Sequence, residues 1–123
     1  MKLTLEINKA LAPANDTFKV GSGVVMMTPP IGEDFWLFRV KVSEKQAILG
    51  FPKFTTIGIG FAIEDDWNTN LPYSCGTEEI YDHIQHNKGD TKISDETCLK
   101  AIKMVKDAAK QLKENGMNKP QNN

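Results

Sequence analysis

A chain of 123 residues is the size of one domain, and folding at this length buries roughly two-thirds of the surface that the unfolded chain exposes. With 40% hydrophobic and 25% charged residues it has the composition of a protein with a packed core, which excludes a disordered, collagen-like or disulfide-stapled chain. Fifteen Lys plus Arg against sixteen Asp plus Glu leave a formal charge of −1, too small to draw in nucleic acid or an anionic membrane by a global field.

In chain order, Leu3, Leu5 and Ile7 alternate with polar residues and predict a first strand. The opening Met1–Glu6 carries a charge at Glu6 and lacks the continuous apolar core of a secretory signal. Pro13-Ala14-Asn15-Asp16 then predicts a turn. A second strand is expected from near Phe18 to about Thr28, where Pro29-Pro30 stops it, with a bulge or bend at Gly21 and Gly23. Its run Val24–Met27 is the longest obvious apolar stretch, far short of the ~20 residues of a membrane-crossing helix.

The third strand is the clearest. Trp36, Phe38, Val40 and Val42 fall on one face, and Phe35, Leu37, Arg39 and Lys41 on the other. Ser43-Glu44-Lys45 is expected to turn the chain into a fourth strand over Gln46–Phe51. A fifth follows over Phe54–Ile63, with Ile57, Ile59, Phe61 and Ile63 on one face. Its other face, Thr56, Gly58, Gly60 and Ala62, leaves so little volume that something must approach the backbone closely. Helix packing is the expected occupant, with another subunit or a ligand as the alternatives.

From Thr77 the period becomes helical, with Thr77 as N-cap, Glu78 and Glu79 in the first turn, Ile80, Tyr81 and Ile84 as the apolar stripe, and Gly89 as terminator. Ser94 caps a second helix whose stripe is Leu99, Ile102, Val105, Ala109 and Leu112, with Ile93 stapled against Cys98 and Gly116 ending it. The whole predicts an α+β domain over 1–116: an antiparallel sheet of about five strands within 2–63, helices near 77–88 and 95–115, and a flexible tail at 117–123.

The segment richest in binding chemistry is Glu64-Asp65-Asp66-Trp67-Asn68-Thr69-Asn70-Leu71-Pro72-Tyr73. Asp65, Asp66, Asn68 and Asn70 supply directional hydrogen bonds, and Trp67 and Tyr73 supply rigid amphipathic area, a mixture suited to a peptide, sugar or nucleotide. The same residue types also make self-capped loops. Asp66, Asn68 and Asn70 have the opening spacing of a calcium loop, but Leu71 stands where the turn needs glycine and Thr77 where the closing glutamate belongs, so an EF-hand is rejected.

Glu79, Asp82, His83 and His86 share one sector of the first helix and have the chemistry of a metal-assisted or acid-base hydrolase, although a solvated polar face has the same pattern. Cys75 precedes that helix, where its dipole favours a thiolate, but neither histidine lies within reach of it along the helix. Lys100, Lys103, Lys106, Lys110 and Lys113 on the second helix could meet phosphates, but Glu96, Asp107 and Glu114 interrupt them. Arg39, the chain's one arginine, is a further candidate for an anion or carboxylate.

No phosphate-loop, nucleophile-elbow or paired-histidine zinc motif is present, and nothing in the pattern requires a cofactor or a resident metal. The sequence therefore favours a small non-enzymatic binding or regulatory protein that recognises a protein or small-molecule ligand through 64–73 and Arg39. The hydrolase is the alternative, and a nucleic-acid accessory protein ranks last. A homodimer is compatible with each, a membrane partner is not expected, and two reduced thiols without an export signal predict a cytoplasmic location.

Overall fold

The structure is a computed structural model that describes residues 3–9, 16–20, 23–28, 35–44, 53–62 and 75–114. In chain order the elements are β1 (Leu3–Ile7), β2 (Asp16–Val20), β3 (Gly23–Thr28), β4 (Phe35–Glu44), β5 (Lys53–Ala62), α1 (Thr77–Asn87) and α2 (Asp95–Glu114). The strands form one antiparallel sheet in the order β1-β5-β4-β3-β2, followed by the two helices, so the α+β architecture is as expected. No described helix is long and apolar enough to cross a membrane.

The long β4–β5 ladder, ten residue pairs from Phe35↔Ala62 to Glu44↔Lys53, lies in the middle of the sheet. Its alternation decides which side is the core. Trp36, Phe38, Val40 and Val42 from β4, and Ile57, Ile59 and Phe61 from β5, are buried in one cluster with Ile80 and Ile84 of α1 and Ile102, Val105, Ala109 and Leu112 of α2. Phe38 and Phe61 meet edge to face, with ring centroids 6.1 Å apart and planes at 82°, the arrangement that the aromatic quadrupole favours. Both helices therefore cover the same face of the sheet.

Four expectations need correction besides the N-cap of α1. The expected second strand is two, because Asp16–Val20 and Gly23–Thr28 pair antiparallel from Asp16↔Met27 to Val20↔Gly23. The apolar run had concealed a reversal of direction. A Cβ on Gly23 would collide with the end of the Met104 side chain, so close approach of α2 requires the glycine there. Ser43 and Glu44 do not turn the chain but continue β4, opposite Phe54 and Lys53. The expected strand at 46–51 lies outside the described residues.

The third correction concerns the small face of β5. The helices pack on Ile57, Ile59 and Phe61, not on the glycines. Gly58 lies directly between Glu6 of β1 and Arg39 of β4, and a Cβ there would stand 3.3 Å from both Glu6 Cβ and Arg39 Cγ. With no side chain between them, the two long residues reach across β5, and Arg39 Nη2 donates to Glu6 Oε2 at 2.8 Å. At Gly58 the close approach to the strand comes from neighbouring side chains of the sheet itself.

The helix ends follow the sequence signals only in part. The N-cap of α1 is Gly76 and makes no side-chain cap bond, so Thr77 is the first helical residue rather than the cap. Its far end is as expected, with Gly89 at φ +58° just beyond the last turn, a conformation glycine adopts without strain. Ser94 does cap α2, its Oγ accepting from the Thr97 backbone N–H at 3.2 Å, and Ile93 and Cys98 are buried beside the cap. The fourth correction is Leu99, which is 46% exposed; the buried stripe runs instead through Cys98, Ala101, Ile102, Val105, Ala108, Ala109 and Leu112. The tail at 117–123 and Gly116 lie outside the described residues.

Removing either end of the Glu6–Arg39 pair should be measurable, because the side chains are only 26% and 14% exposed. Glu6→Ala should cost about 1–3 kcal/mol of unfolding free energy by leaving a largely buried guanidinium without its acceptor. A double-mutant cycle with Arg39→Met, read by urea denaturation, should show a coupling of about 1 kcal/mol. Additive losses would mean that the pair contributes only packing.

Candidate functional site

The candidate residues fall into two groups. Asp65, Asp66, Trp67, Asn68, Asn70 and Tyr73 lie outside the described residues, but the ends of their segment do not. β5 ends at Ala62, next to the fully buried Phe61, and the described chain resumes at Cys75, which is buried just before α1. The chain on both sides of 64–73 is thus anchored in the core. Arg39 belongs to the described part, and its guanidinium is engaged by Glu6 on the face away from the helices. Among the described residues its Nε is buried without a hydrogen-bond partner.

The histidine face of α1 does not converge on a common point. His86 is exposed, and its Nδ1 donates to the Asp82 backbone carbonyl at 2.7 Å. His83 is half-buried, with Nδ1 facing the Asn87 side-chain amide at 3.3 Å and Nε2 sealed from solvent. Glu79 accepts from the Cys75 thiol at 3.1 Å. Among the described residues no group of three or more His, Cys, Asp or Glu side chains is placed to hold a metal ion. A shared helix face supplied ligand types but not a common centre.

The thiols are set against nucleophilic chemistry. Burial, then the hydrogen bond to Glu79 and that carboxylate's charge, push the Cys75 thiol up to about 12, with Lys106 pulling weakly the other way. A thiolate there would be desolvated and would face a carboxylate that now serves as its acceptor. These effects outweigh the helix dipole that first suggested an activated cysteine. Cys98 is also raised, chiefly by burial, and both thiols are free.

The lysines of α2 are partly engaged. Lys103 pairs with Asp107 at 2.8 Å within the helix, and Lys106 Nζ reaches Thr77 Oγ1 at 3.4 Å, tying α2 to the start of α1. The Tyr81 hydroxyl donates to Asp95 at 2.7 Å and makes a second tie near the beginning of α2. Sequence spacing had isolated Lys106 and Tyr81 from their partners on the other helix, so neither of those two contacts was foreseeable from it. Gln111, not singled out in the sequence, donates to the Lys19 carbonyl at 3.1 Å and occupies an acceptor of β2.

No family model matches the chain, and no curated protein and no solved structure shows significant similarity to it.

Both thiols should resist modification in the native state. Labelling with an aromatic disulfide reagent at about pH 8 should be slow, becoming fast and stoichiometric for two thiols in urea. Glu79→Gln should lower the Cys75 titration from about 12 toward the ordinary thiol range, followed by thiolate absorbance. Fast native labelling of Cys75 would contradict the burial and hydrogen bonding described here.

Proposed function

We propose that the protein is a small non-enzymatic binding or regulatory protein whose recognition surface is the segment 64–73. The observation that supports this reading is the anchoring of the segment: it starts from β5 and ends at α1, beside buried Phe61 and Cys75. A rigid sheet-and-helix frame carrying an aromatic, amide-rich connection is a common arrangement for recognition, because the frame limits the entropy lost on binding. Glu64, Asp65 and Asp66 favour a neutral or basic ligand, such as a peptide or a sugar, over a phosphate-bearing one.

The remaining described chemistry supports a binding role over a catalytic one. Cys75 is held protonated, and the two histidines of α1 do not meet a nucleophile or a third metal ligand within the described residues. Lys103 and Lys106 have partners inside the fold, which weakens the case for a phosphate-gripping helix.

Native mass spectrometry of untreated protein tests this reading by recording subunit number and any retained component together. The expected result is a retained small molecule or partner that is lost in Trp67→Ala, with a reduction in affinity of about 2 kcal/mol or more, roughly thirtyfold in Kd. Asp66→Asn and Asn70→Ala should weaken it less and leave thermal unfolding unchanged. A component that survives these three changes but disappears with Lys106→Ala and Lys110→Ala would sink the proposal, as would a metal-dependent hydrolysis abolished by His83→Ala.

A further inference from the structure

The two edges of the sheet are finished differently. The order β1-β5-β4-β3-β2 leaves β1 and β2 outermost. On β2 the Lys19 carbonyl accepts from the Gln111 side chain of α2 at 3.1 Å, so part of that edge is already occupied. On β1 the ladder itself shows which groups face outward. Asn8 donates its backbone N–H to the Thr56 carbonyl at 2.9 Å, continuing the register that runs from Leu3↔Phe61 to Ile7↔Ile57. Hydrogen-bonded and non-hydrogen-bonded pairs alternate along an antiparallel ladder. Thr4 and Glu6 therefore direct their N–H and C=O groups at β5, and Leu3, Leu5 and Ile7 direct theirs away from it. Among the described residues no hydrogen bond reaches those outward groups.

This edge also lacks the features that usually discourage a further strand. Leu3–Ile7 has no proline and an unbroken register, and its one charge, Glu6, is taken up by Arg39. Leu3, Leu5 and Ile7 pack against the core but are only half-buried. A second copy of β1 fits such an edge. About a two-fold axis through Leu5, the middle residue, Leu5 stands opposite the copy's Leu5, Leu3 opposite its Ile7, and Thr4 opposite its Glu6. Apolar side chains then meet on the core face, and no carboxylate stands directly opposite another. Moving the axis to Glu6 would set two carboxylates opposite each other, and moving it to either Thr4 or Glu6 leaves one end of the strand unpaired. The helix beside this edge is also self-complementary. α1 lies over β1, its His83 ring reaching the Thr4 backbone, whereas α2 lies over β2, β3 and β4. The axis sets the two α1 helices antiparallel, so that Glu78 and Glu79 at the start of one lie toward His86 and Lys88 at the end of the other.

We propose that the outer edge of β1 is a homodimer interface, at which two copies of the chain join antiparallel about Leu5 into one sheet continuous through both. The N–H and C=O groups of Leu3, Leu5 and Ile7 supply the ladder, and the half-exposed apolar side chains beside them supply the burial. A strand of this length buries less than an ordinary stable interface, which covers about 1,600 Å² in total, so the contact between the α1 helices is needed as well and the dimer forms in a concentration-dependent way. The dimer carries the segment 64–73 twice and does not depend on the role proposed for it.

Sedimentation velocity on the full chain from about 5 μM to about 500 μM, combined with amide hydrogen exchange read by nuclear magnetic resonance, tests the interface. The expected result is a monomer that becomes a dimer as concentration rises. Over the same range the amides of Leu3, Leu5 and Ile7 should gain about tenfold or more in protection, while those of Thr4 and Glu6 are protected throughout. Leu5→Pro removes an outward N–H and no bond to β5, and should raise the dissociation constant about tenfold or more. It also supplies the monomer for comparison if the wild type is dimeric at every concentration. Should Leu5→Pro fail to fold, the alternating exchange pattern of the wild type decides. A monomer throughout the range, a dimer whose Leu5 amide exchanges freely, or a folded Leu5→Pro that dimerises as the wild type does would each overturn the proposal.

Discussion

The register between β4 and β5 is the constraint on which the rest of the structure depends. Ten residue pairs hold these central strands together, and side chains alternate along both. A slip of one residue on either strand would turn its core side chains outward and its polar or glycine residues toward the helices. Such a slip on β4 would bring Arg39 and Lys41 against the apolar stripe of α2, and on β5 it would present Gly58 and Gly60 in place of Ile57 and Ile59. Either loss of burial exceeds what the hydrogen bonds of the ladder could recover, since each buried large apolar side chain contributes about 1.5–3 kcal/mol.

The same register creates the polar feature on the opposite face. Glu6, Gly58 and Arg39 stand in one row across three strands, so the absent side chain at Gly58 is what permits the ion pair. A larger residue would press on Glu6 Cβ and Arg39 Cγ, both close to their backbones and unable to give way cheaply. Elsewhere on this face Phe54 is 52% exposed and carries Lys41 over its ring at 4.7 Å, while Val24 is also exposed. The two faces are thus built from different forces. Area burial dominates under the helices, while the opposite face combines the Glu6–Arg39 pair over Gly58 with the buried Leu37.

The periodic part of this architecture was legible in the sequence. The alternation through Trp36–Val42 and Ile57–Phe61 identifies the core face, and Ser94 and Gly89 mark helix ends through local bonding that needs no tertiary partner. Errors arose where a local pattern had more than one spatial solution. Val20 and Gly23 read as one interrupted strand because a two-residue reversal leaves the apolar run almost intact. Leu99 suited an apolar stripe by spacing, but the adjacent positions Cys98 and Ala101 suit the close approach of helix to sheet better. The glycines of β5 correctly announced a close approach, while the identity of the approaching groups depended on strand order, which pattern alone does not specify. The candidate site was legible as composition at 64–73 and as the lone Arg39, and the partner of Arg39 became apparent only when β1 was placed beside β5.

Several of the reactive-looking side chains outside that segment share one property, a structural engagement within the fold. Burial, and then the carboxylate that could have served Cys75 as a base but instead accepts a hydrogen bond from it, push the thiol up to about 12. Tyr81 is directed to Asp95, Lys103 to Asp107, and Arg39 to Glu6. His83 is turned into the contact between α1 and β1 and loses access to solvent at Nε2. A catalytic centre generally needs such groups preorganised toward a space where substrate can enter, with their donors and acceptors aimed at it. Here several are aimed at one another, and the Tyr81–Asp95 and Arg39–Glu6 pairs join separate elements of the frame. That pattern suits a structural frame, and it explains why residues with catalytic side chains can be numerous in a chain whose proposed role is binding.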